Sequence, residues 1–298
     1  GLPIPNRIEA KPVKRTGQIV AAVIVALLAA MLIHGLVTNP RFEWNVVWKY
    51  LFNERVLEGV GYTLILTFLS MIIAIILAVI LAIMRKSANP VLRGVSWCYI
   101  WFFRGTPVYT QLVFWGLFSV LIPRLSLGIP FTSVEFWSVD SQTVVTAFNA
   151  AVIGLALNEA AYLAEIVRAG LEAVDPGQEE AAKALGMKRS MIMRRVILPQ
   201  AMRTAFPPLS NSLISMVKDT SLAANITVVE MFMATQRIVA RTYEPLALYI
   251  EVGLIYLLFC TVLTGLQHMG ERRLSITAER RKEPWYRHVI SQSRFRRR

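Results

Sequence analysis

Five polar side chains stand inside apolar stretches of the chain and are its best candidates for chemistry. They are Arg104, Asn158, Glu159, Tyr162 and Glu165. A charged side chain at the centre of a bilayer helix costs about 3 kcal/mol on insertion scales, so these groups should face protein or a water-filled cavity. Arg104 could hold a carboxylate and Glu159 an ammonium group, which suits a zwitterion. The five residues therefore predict a path for a small polar solute.

Structural interpretations stay open for the same residues. Arg104 and Glu159 could neutralise each other, and Glu159 and Tyr162 could make interhelical hydrogen bonds. For Glu165, an i,i+3 ion pair with Arg168 is the favoured interpretation.

The helical phase of these residues limits which of them can share a pocket. Asn158, Tyr162 and Glu165 fall within about 40° of one another, whereas Glu159 is turned by about 100° from Asn158. We therefore expect that Asn158, Glu159, Tyr162, Glu165 and Arg168 do not all face one pocket.

Motifs for catalysis on this chain are lacking. No Gly-x-x-x-x-Gly-Lys-Ser/Thr sequence occurs, so nucleotide phosphates cannot be bound by that route. The three histidines, His34, His268 and His288, have neither metal-ligand spacing nor a neighbouring nucleophile. The prediction is a non-enzymatic chain without a cofactor of its own.

The polar segment 175–190 predicts a short, well-bounded helix. Asp175 can cap a helix whose first residue is Pro176, and Gly186 can end it in a left-handed conformation. A helix of about ten residues is marginal in water, so it must pack in a groove on this chain or another. On that helix Ala181, Ala182 and Leu185 are expected to share a stripe with Gln178, opposite the pair Glu179 and Lys183.

Composition places the rest of the chain in a membrane. Of 298 residues, 55% are hydrophobic and 17% charged, and the mean hydropathy is +0.50, whereas soluble domains have about 25% charged residues. The predicted fold is an all-α integral membrane protein with about six transmembrane helices. Their approximate ranges are 19–37, 56–84, 95–122, 143–171, 199–217 and 245–268, with a loop at 123–142. Gly105 and Pro107 should break the third span.

The distribution of Lys and Arg orients these spans. With the N-terminus inside, the inner segments hold 23 basic residues and the outer segments hold 7. Cytoplasmic loops are enriched in Lys and Arg, so both termini and the segment 175–190 are predicted to be cytoplasmic. Topology also explains the net charge of +13, and a nucleic-acid partner is not indicated.

The spacing of the polar segment resembles a known loop. Glu180-Ala-Ala, then Gly186, then Val196-x-Leu198-Pro199 resembles the EAA loop of permease subunits of ATP-binding cassette (ABC) importers, with Val196 where isoleucine is usual. Further stretches resemble the polar amino acid uptake branch of that family. They are Phe103–Pro107, Ala161–Arg168, Gly177–Ala182, Leu198–Ala201, Pro207–Asn211 and Lys218–Leu222.

The resemblance implies a division of the chain into three parts. Residues 56–270 would form a five-helix permease core, while 1–55 would add an N-terminal helix and 271–298 a basic tail that could bind anionic lipid. The polar segment would be a coupling helix that seats in a separate ATPase subunit, and the alternative is an interfacial helix that only turns the chain. The implied coupling residues are Pro176, Gly177, Glu180, Ala181, Ala182, Leu185 and Gly186.

The resemblance also implies partners and a location. The chain would be half of a homodimer or heterodimer in the bacterial inner membrane, with two cytoplasmic ATPase subunits that carry ATP and Mg²⁺ and an extracytoplasmic amino acid-binding protein. Lys218, Asp219, Thr220 and Ser221 would form an outer gate, although capping of a short helix, with Lys218 pairing locally, would also explain them. A scaffold or channel without an ATPase, or a secondary amino acid carrier, remains the alternative.

Overall fold

The structure, a computed structural model, describes residues 16–129, 132 and 134–279. The polar N-terminal residues 1–15 and the basic residues 280–298 lie outside the described residues. The helices are α1 (Thr16–Thr38), α2 (Trp44–Tyr50), α3 (Glu54–Arg85), α4 (Pro90–Gly105), α5 (Val108–Gly116), α6 (Phe118–Leu121), α7 (Ser141–Val144), α8 (Ala147–Glu172), α9 (Pro176–Ala184), α10 (Arg189–Ile192), α11 (Leu198–Asp219), α12 (Met231–Thr242) and α13 (Pro245–Glu279). Two strands, β1 (Arg124–Gly128) and β2 (Glu135–Asp140), lie between α6 and α7. The 3₁₀ segments are Pro40–Phe42 and Thr220–Ile226, and Met193–Ile197 is a π-helical turn.

Predominantly helical architecture is confirmed, but the count of six spans is not. Among the described residues, four helices are long and apolar enough to cross a bilayer: α1, α3, α8 and α13. The predicted third span is divided into α4 and α5, so neither part reaches the ~20 residues needed to span. The predicted fifth span, α11, has 22 residues with Pro207 and Pro208 in its interior.

The segment predicted as a loop between the third and fourth spans contains an antiparallel hairpin. β1 pairs with β2 from Arg124 opposite Asp140 to Gly128 opposite Glu135, with an irregularity beside Gly128. The alternating apolar residues of this segment satisfy a strand pair as well as a loop. The predominantly helical fold thus includes one short hairpin, in the connection predicted as a loop.

Helix α8 is the centre of the molecule. Its N-terminus is capped by the Thr146 hydroxyl, which accepts from the Asn149 amide at 3.3 Å. Small residues dominate its buried surface, so neighbouring helices can approach closely. They include Ala150, Ala151, Ala156, Ala160, Ala161 and Ala164. α8 packs most extensively on α3 and then on α11 and α5, which surround it.

Helix α1 stands apart from this bundle. The described side chains from Gly17 to Thr38 are all exposed. Its apolar residues are distributed around the whole circumference, as expected for a helix that contacts lipid on every side. The Trp44 indole nitrogen donates to the Leu36 carbonyl at 2.9 Å and anchors the end of α1 to α2.

A buried carboxylate ties α3, α12 and α13 together. Glu230 is fully buried at the start of α12, where it accepts from the amides of Phe232 and Met233 at 2.9 and 2.8 Å. Hydroxyls of Thr63 on α3 and Tyr256 on α13 also donate to it, each at 3.3 Å. Because each donor offsets part of the cost of burying the carboxyl group, Glu230 fixes the position of α12.

Close approach of α3 to α12 requires a glycine at position 59. A Cβ atom there would lie 2.7 Å from the Cα of Met231, so the two backbones would have to separate. We expect Gly59→Val to destabilise the protein by roughly 1–3 kcal/mol through overpacking, seen as a lower Tm in detergent. Gly61→Val is the matched control, since nothing lies within 4 Å of a Cβ at Gly61. Equal Tm values for the two variants would contradict this packing.

Candidate functional site

The break between α4 and α5 creates a polar centre beside α8. Pro107 has no N–H to donate to the Phe103 carbonyl four residues earlier. Two side chains replace that donor: Asn158 Nδ2 lies 3.0 Å and Gln111 Nε2 lies 3.1 Å from the Phe103 oxygen. Gln111 Nε2 also donates to the hydroxyl of Thr106 at 2.7 Å. The break is therefore stable at membrane depth because α5 and α8 satisfy its free backbone group.

A cavity of about 1050 Å³ opens at this break. α8 forms one wall, the α4–α5 break a second, and α11 a third. All five predicted path residues line it, namely Arg104, Asn158, Glu159, Tyr162 and Glu165. Thr204, Asn211, Ser212, Ser215 and Asp219 contribute from α11. The cavity thus brings polar groups together from three separate parts of the chain.

Two charged groups in the cavity have no ion-pair partner among the described residues. The Arg104 guanidinium lies over the ring of Tyr162, 5.3 Å from its centroid, and forms no ion pair with Glu159. Glu159 is 9% exposed, and one of its carboxylate oxygens is buried without a hydrogen-bond partner. The interpretation that Arg104 and Glu159 neutralise each other is therefore wrong for this structure. Both groups remain available to a charged ligand.

The ion pair predicted at the end of α8 is confirmed. Arg168 lies 2.7 Å from the Glu165 carboxylate and 2.6 Å from that of Glu172. Because both carboxylates hold the same guanidinium, Arg168 is occupied within its own helix.

The expectation that the polar residues of α8 cannot share one pocket is wrong. Asn158, Glu159, Tyr162, Glu165 and Arg168 all line the same cavity, despite the angle of about 100° between neighbours. The reason is the width of the opening: the α4–α5 break borders one side of α8 and α11 borders the other. A wide arc of the helix is exposed to one space.

Several cavity residues were not predicted as path residues. Asn211, Ser212 and Ser215 are common polar residues whose types carry no chemical signal of their own. Asn211 lies in a stretch that carried the family resemblance, which was the available indication. Pro207 and Pro208 precede these residues inside α11.

The four residues predicted as an outer gate do not all line one cavity. Asp219 lines the large cavity, whereas Lys218 and Ser221 line a separate one of about 530 Å³. Thr220 and Ser221 donate their hydroxyls to the carbonyls of Val217 and Lys218, at 2.7 and 2.6 Å. The Asp219 side chain makes no capping bond to the 3₁₀ segment that follows, and Lys218 forms no ion pair with it. The capping and local-pairing interpretation is therefore wrong. The two hydroxyls donate to carbonyls three residues earlier in the chain, and Asp219 and Lys218 line cavities.

The predicted short helix forms as α9 with the expected ends. Asp175 accepts from the Gly177 amide at 2.8 Å, Pro176 is the first residue, and Gly186 has φ +73°. The Glu179–Lys183 pair also forms, at 2.8 Å, and this partner lowers the pKa of the Glu179 carboxyl group.

The apolar stripe expected on α9 is divided between two environments. Ala182 is buried against Ile192 and Ile197 of the following segment. Gln178, Ala181 and Leu185 are exposed, and Leu185 has 82% of its surface accessible. Packing within the described residues thus uses only one edge of the stripe and leaves Leu185 exposed.

A π-helical turn joins this segment to the cavity wall. Met193–Ile197 continues from α10 directly into α11, just before Pro199. Pro199 cannot donate to the carbonyl four residues earlier, which relaxes the ordinary helical register there. α10, the π-helical turn and α11 therefore form one nearly continuous helix. This helix connects the segment after α9 to the cavity wall that carries Ser212 and Asp219.

A helical membrane bundle around a polar cavity, with a short helix displayed at one end, defines the transmembrane subunit of a transporter. The family model described as "Binding-protein-dependent transport system inner membrane component" matches residues 74–276, and the chain belongs to this family. It is the permease subunit of an ABC importer, an inner-membrane protein whose family works with a separate ATPase. Among the described residues, no group of three or more His, Cys, Asp or Glu is placed to hold a metal ion.

Similar proteins include several amino acid permeases. The arginine transport system permease ArgU of Corynebacterium glutamicum is 46% identical over 90% of this chain and 83% of its own length. The L-cystine transport system permease TcyB of Bacillus subtilis is 41% identical over 80% of this chain and 94% of its own length. A crystal structure of an amino acid ABC transporter with histidines has a TM-score of 0.62 and 34% identity, covering 74% of this chain and 95% of that one.

Proposed function

We propose that this permease imports amino acids with a cationic side chain, using the large cavity as the substrate path. The observation that carries the proposal is the charge of that cavity. Two carboxylates, Glu159 and Asp219, and one cation, Arg104, line it, and none of the three has an ion-pair partner among the described residues. The chain's similarity to an arginine permease supports the same substrate class.

Each end of such a substrate has a partner in the cavity. Arg104 would hold the α-carboxylate, since its guanidinium is exposed and positioned only by the Tyr162 ring. Glu159 would take the α-ammonium group. That leaves Asp219, farther along α11, for a cationic side chain.

The proposal places α9 in the cytoplasm, where it would contact the ATPase. The excess of basic residues in the inner segments supports cytoplasmic termini and a cytoplasmic α9. There, two ATPase subunits carrying ATP and Mg²⁺ would receive α9 through Leu185, on each half of a permease dimer. An extracytoplasmic binding protein would deliver the amino acid from the other side. Lys218 and Ser221 would contribute to the outer gate from their separate cavity.

Uptake into proteoliposomes by the assembled transporter tests the substrate class. We expect uptake that requires ATP, persists when ionophores collapse ion gradients, and favours arginine or lysine over glutamine and glutamate. Asp219→Asn should reduce the preference for arginine over glutamine by about tenfold, the equivalent of about 1.4 kcal/mol. Ser215→Ala, in the same cavity without a charge change, is the control. Preferred uptake of glutamate would contradict the proposal, and loss of uptake with the ion gradient would favour a secondary carrier.

A further inference from the structure

Three arginines line a small cavity at the end of the molecule opposite α9. Arg55 lies in the first turn of α3, and Arg237 and Arg241 lie on α12; with Glu58 they border a space of about 240 Å³. α3 runs for 32 residues, or about 48 Å, from Glu54 to Arg85. Lys86, directly after it, is close enough to Glu179 of α9 to influence its carboxylate electrostatically. The arginines and α9 are therefore on opposite faces of the bundle.

The fold holds the three guanidiniums on one side of α12. Arg237 and Arg241 are one helical turn apart and share a side of α12 with Ala234, next to the buried face that contains Met231 and Ile238. Contact between α3 and α12 at Gly59 brings Arg55 toward them. Because helix packing positions the three arginines around the cavity, their proximity does not depend on a bound ligand.

Charge in this cavity is not balanced by ion pairs among the residues that the structure describes. None of the three arginines forms an ion pair with a described residue, and neither does Glu58. Three cations and one carboxylate leave an excess of two positive charges in a confined, partly enclosed space. Like charges in one space repel, so an occupant with at least two negative charges would stabilise the site.

We propose that Arg55, Arg237 and Arg241 form a docking site for carboxylates on an acidic protein surface at the outer face. This rests on the proposed function, which makes the α9 face cytoplasmic. Guanidiniums suit carboxylates because they offer paired donors in a fixed fork. A protein rather than a lipid is favoured because two of the arginines lie on α12, which is not among the candidate membrane spans. The partner is the acidic surface of the soluble protein that delivers the solute.

Peptide binding to the intact permease in nanodiscs tests the site directly. The probes are a fluorescent hexaglutamate peptide and its hexaglutamine counterpart, measured in nanodiscs of neutral lipid. We expect hexaglutamate to bind at low salt, to weaken as ionic strength rises, and to lose about tenfold in affinity in Arg237→Gln/Arg241→Gln. Arg41→Gln/Arg124→Gln, two arginines of the outer segments that do not line the cavity, should bind as the parent does.

Two outcomes would overturn the proposal. One is equal hexaglutamate affinity in the parent and in the Arg237→Gln/Arg241→Gln variant. The other is no hexaglutamate binding together with a variant-sensitive enrichment of phosphatidylglycerol around the permease in mixed-lipid nanodiscs, which would assign the site to lipid headgroups. Failure of the proposed function appears separately, as absence of ATP-driven arginine uptake by the parent transporter while hexaglutamate binding is intact.

Discussion

Arg104→Gln is expected to abolish amino acid uptake while the transporter still assembles. The guanidinium is exposed in the large cavity, contacts the Tyr162 ring and has no ion-pair partner among the described residues. No described carboxylate is paired with Arg104, so its removal does not leave a carboxylate unpaired. A substrate carboxylate would lose its charge-assisted hydrogen bonds, worth about 2–5 kcal/mol for a desolvated pair, so uptake should fall by roughly 30-fold or more.

Radiolabelled arginine uptake in proteoliposomes measures this effect, and size-exclusion chromatography of the purified complex reports assembly. The control is Arg203→Gln, which removes a charge from α11 without touching the cavity. Normal uptake by Arg104→Gln would rule out its role as the carboxylate partner. A parallel loss in both variants would indicate a general effect of charge on folding.

Leu185→Asp is expected to weaken the contact with the ATPase subunits and to reduce uptake. Leu185 has 82% of its surface exposed at the end of α9, so its replacement removes little packing from the permease itself. If the side chain is buried in an ATPase groove, losing it costs about 1.5–3 kcal/mol, and burying a carboxylate there costs more. Uptake should therefore decline by tenfold or more, with weaker retention of the ATPase subunits.

Co-purification of the ATPase with tagged permease measures the contact directly. Ala184→Asp introduces the same charge one residue earlier, about 100° around the helix, and should have a smaller effect. Full uptake and full ATPase retention by Leu185→Asp would mean that α9 only turns the chain back toward the membrane. The interfacial-helix interpretation would then be the correct one.

Local signals in the sequence were sufficient for α9 and for the membrane class. Asp175, Pro176 and Gly186 act within a few residues of themselves, so their effects on the helix ends do not depend on the rest of the fold. Apolar composition and the distribution of basic residues likewise need no tertiary information. The same applies to the Glu165–Arg168 pair, which spans less than one turn.

Helical periodicity was not sufficient to predict which residues line the cavity. The angle between Asn158 and Glu159 follows from the sequence, but the distance at which α11 and the α4–α5 break stand from α8 does not. That distance decided that a wide arc of α8 opens onto one space. The same limitation concealed Gln111, whose role exists only because Pro107 leaves the Phe103 carbonyl without its helical donor.

Adjacent residues at the end of α11 illustrate the difference most directly. By itself, the sequence determined a membrane permease, the ends of helix α9 and the identities of its intramembrane charges, because these depend on composition and near neighbours. Only the tertiary structure decided that Asp219 and Lys218 face different cavities, that Leu185 is exposed while Ala182 is buried, and that Arg55 meets Arg237 and Arg241. Those outcomes depend on how distant helices pack, which is set by side-chain volumes and backbone approach across the whole bundle.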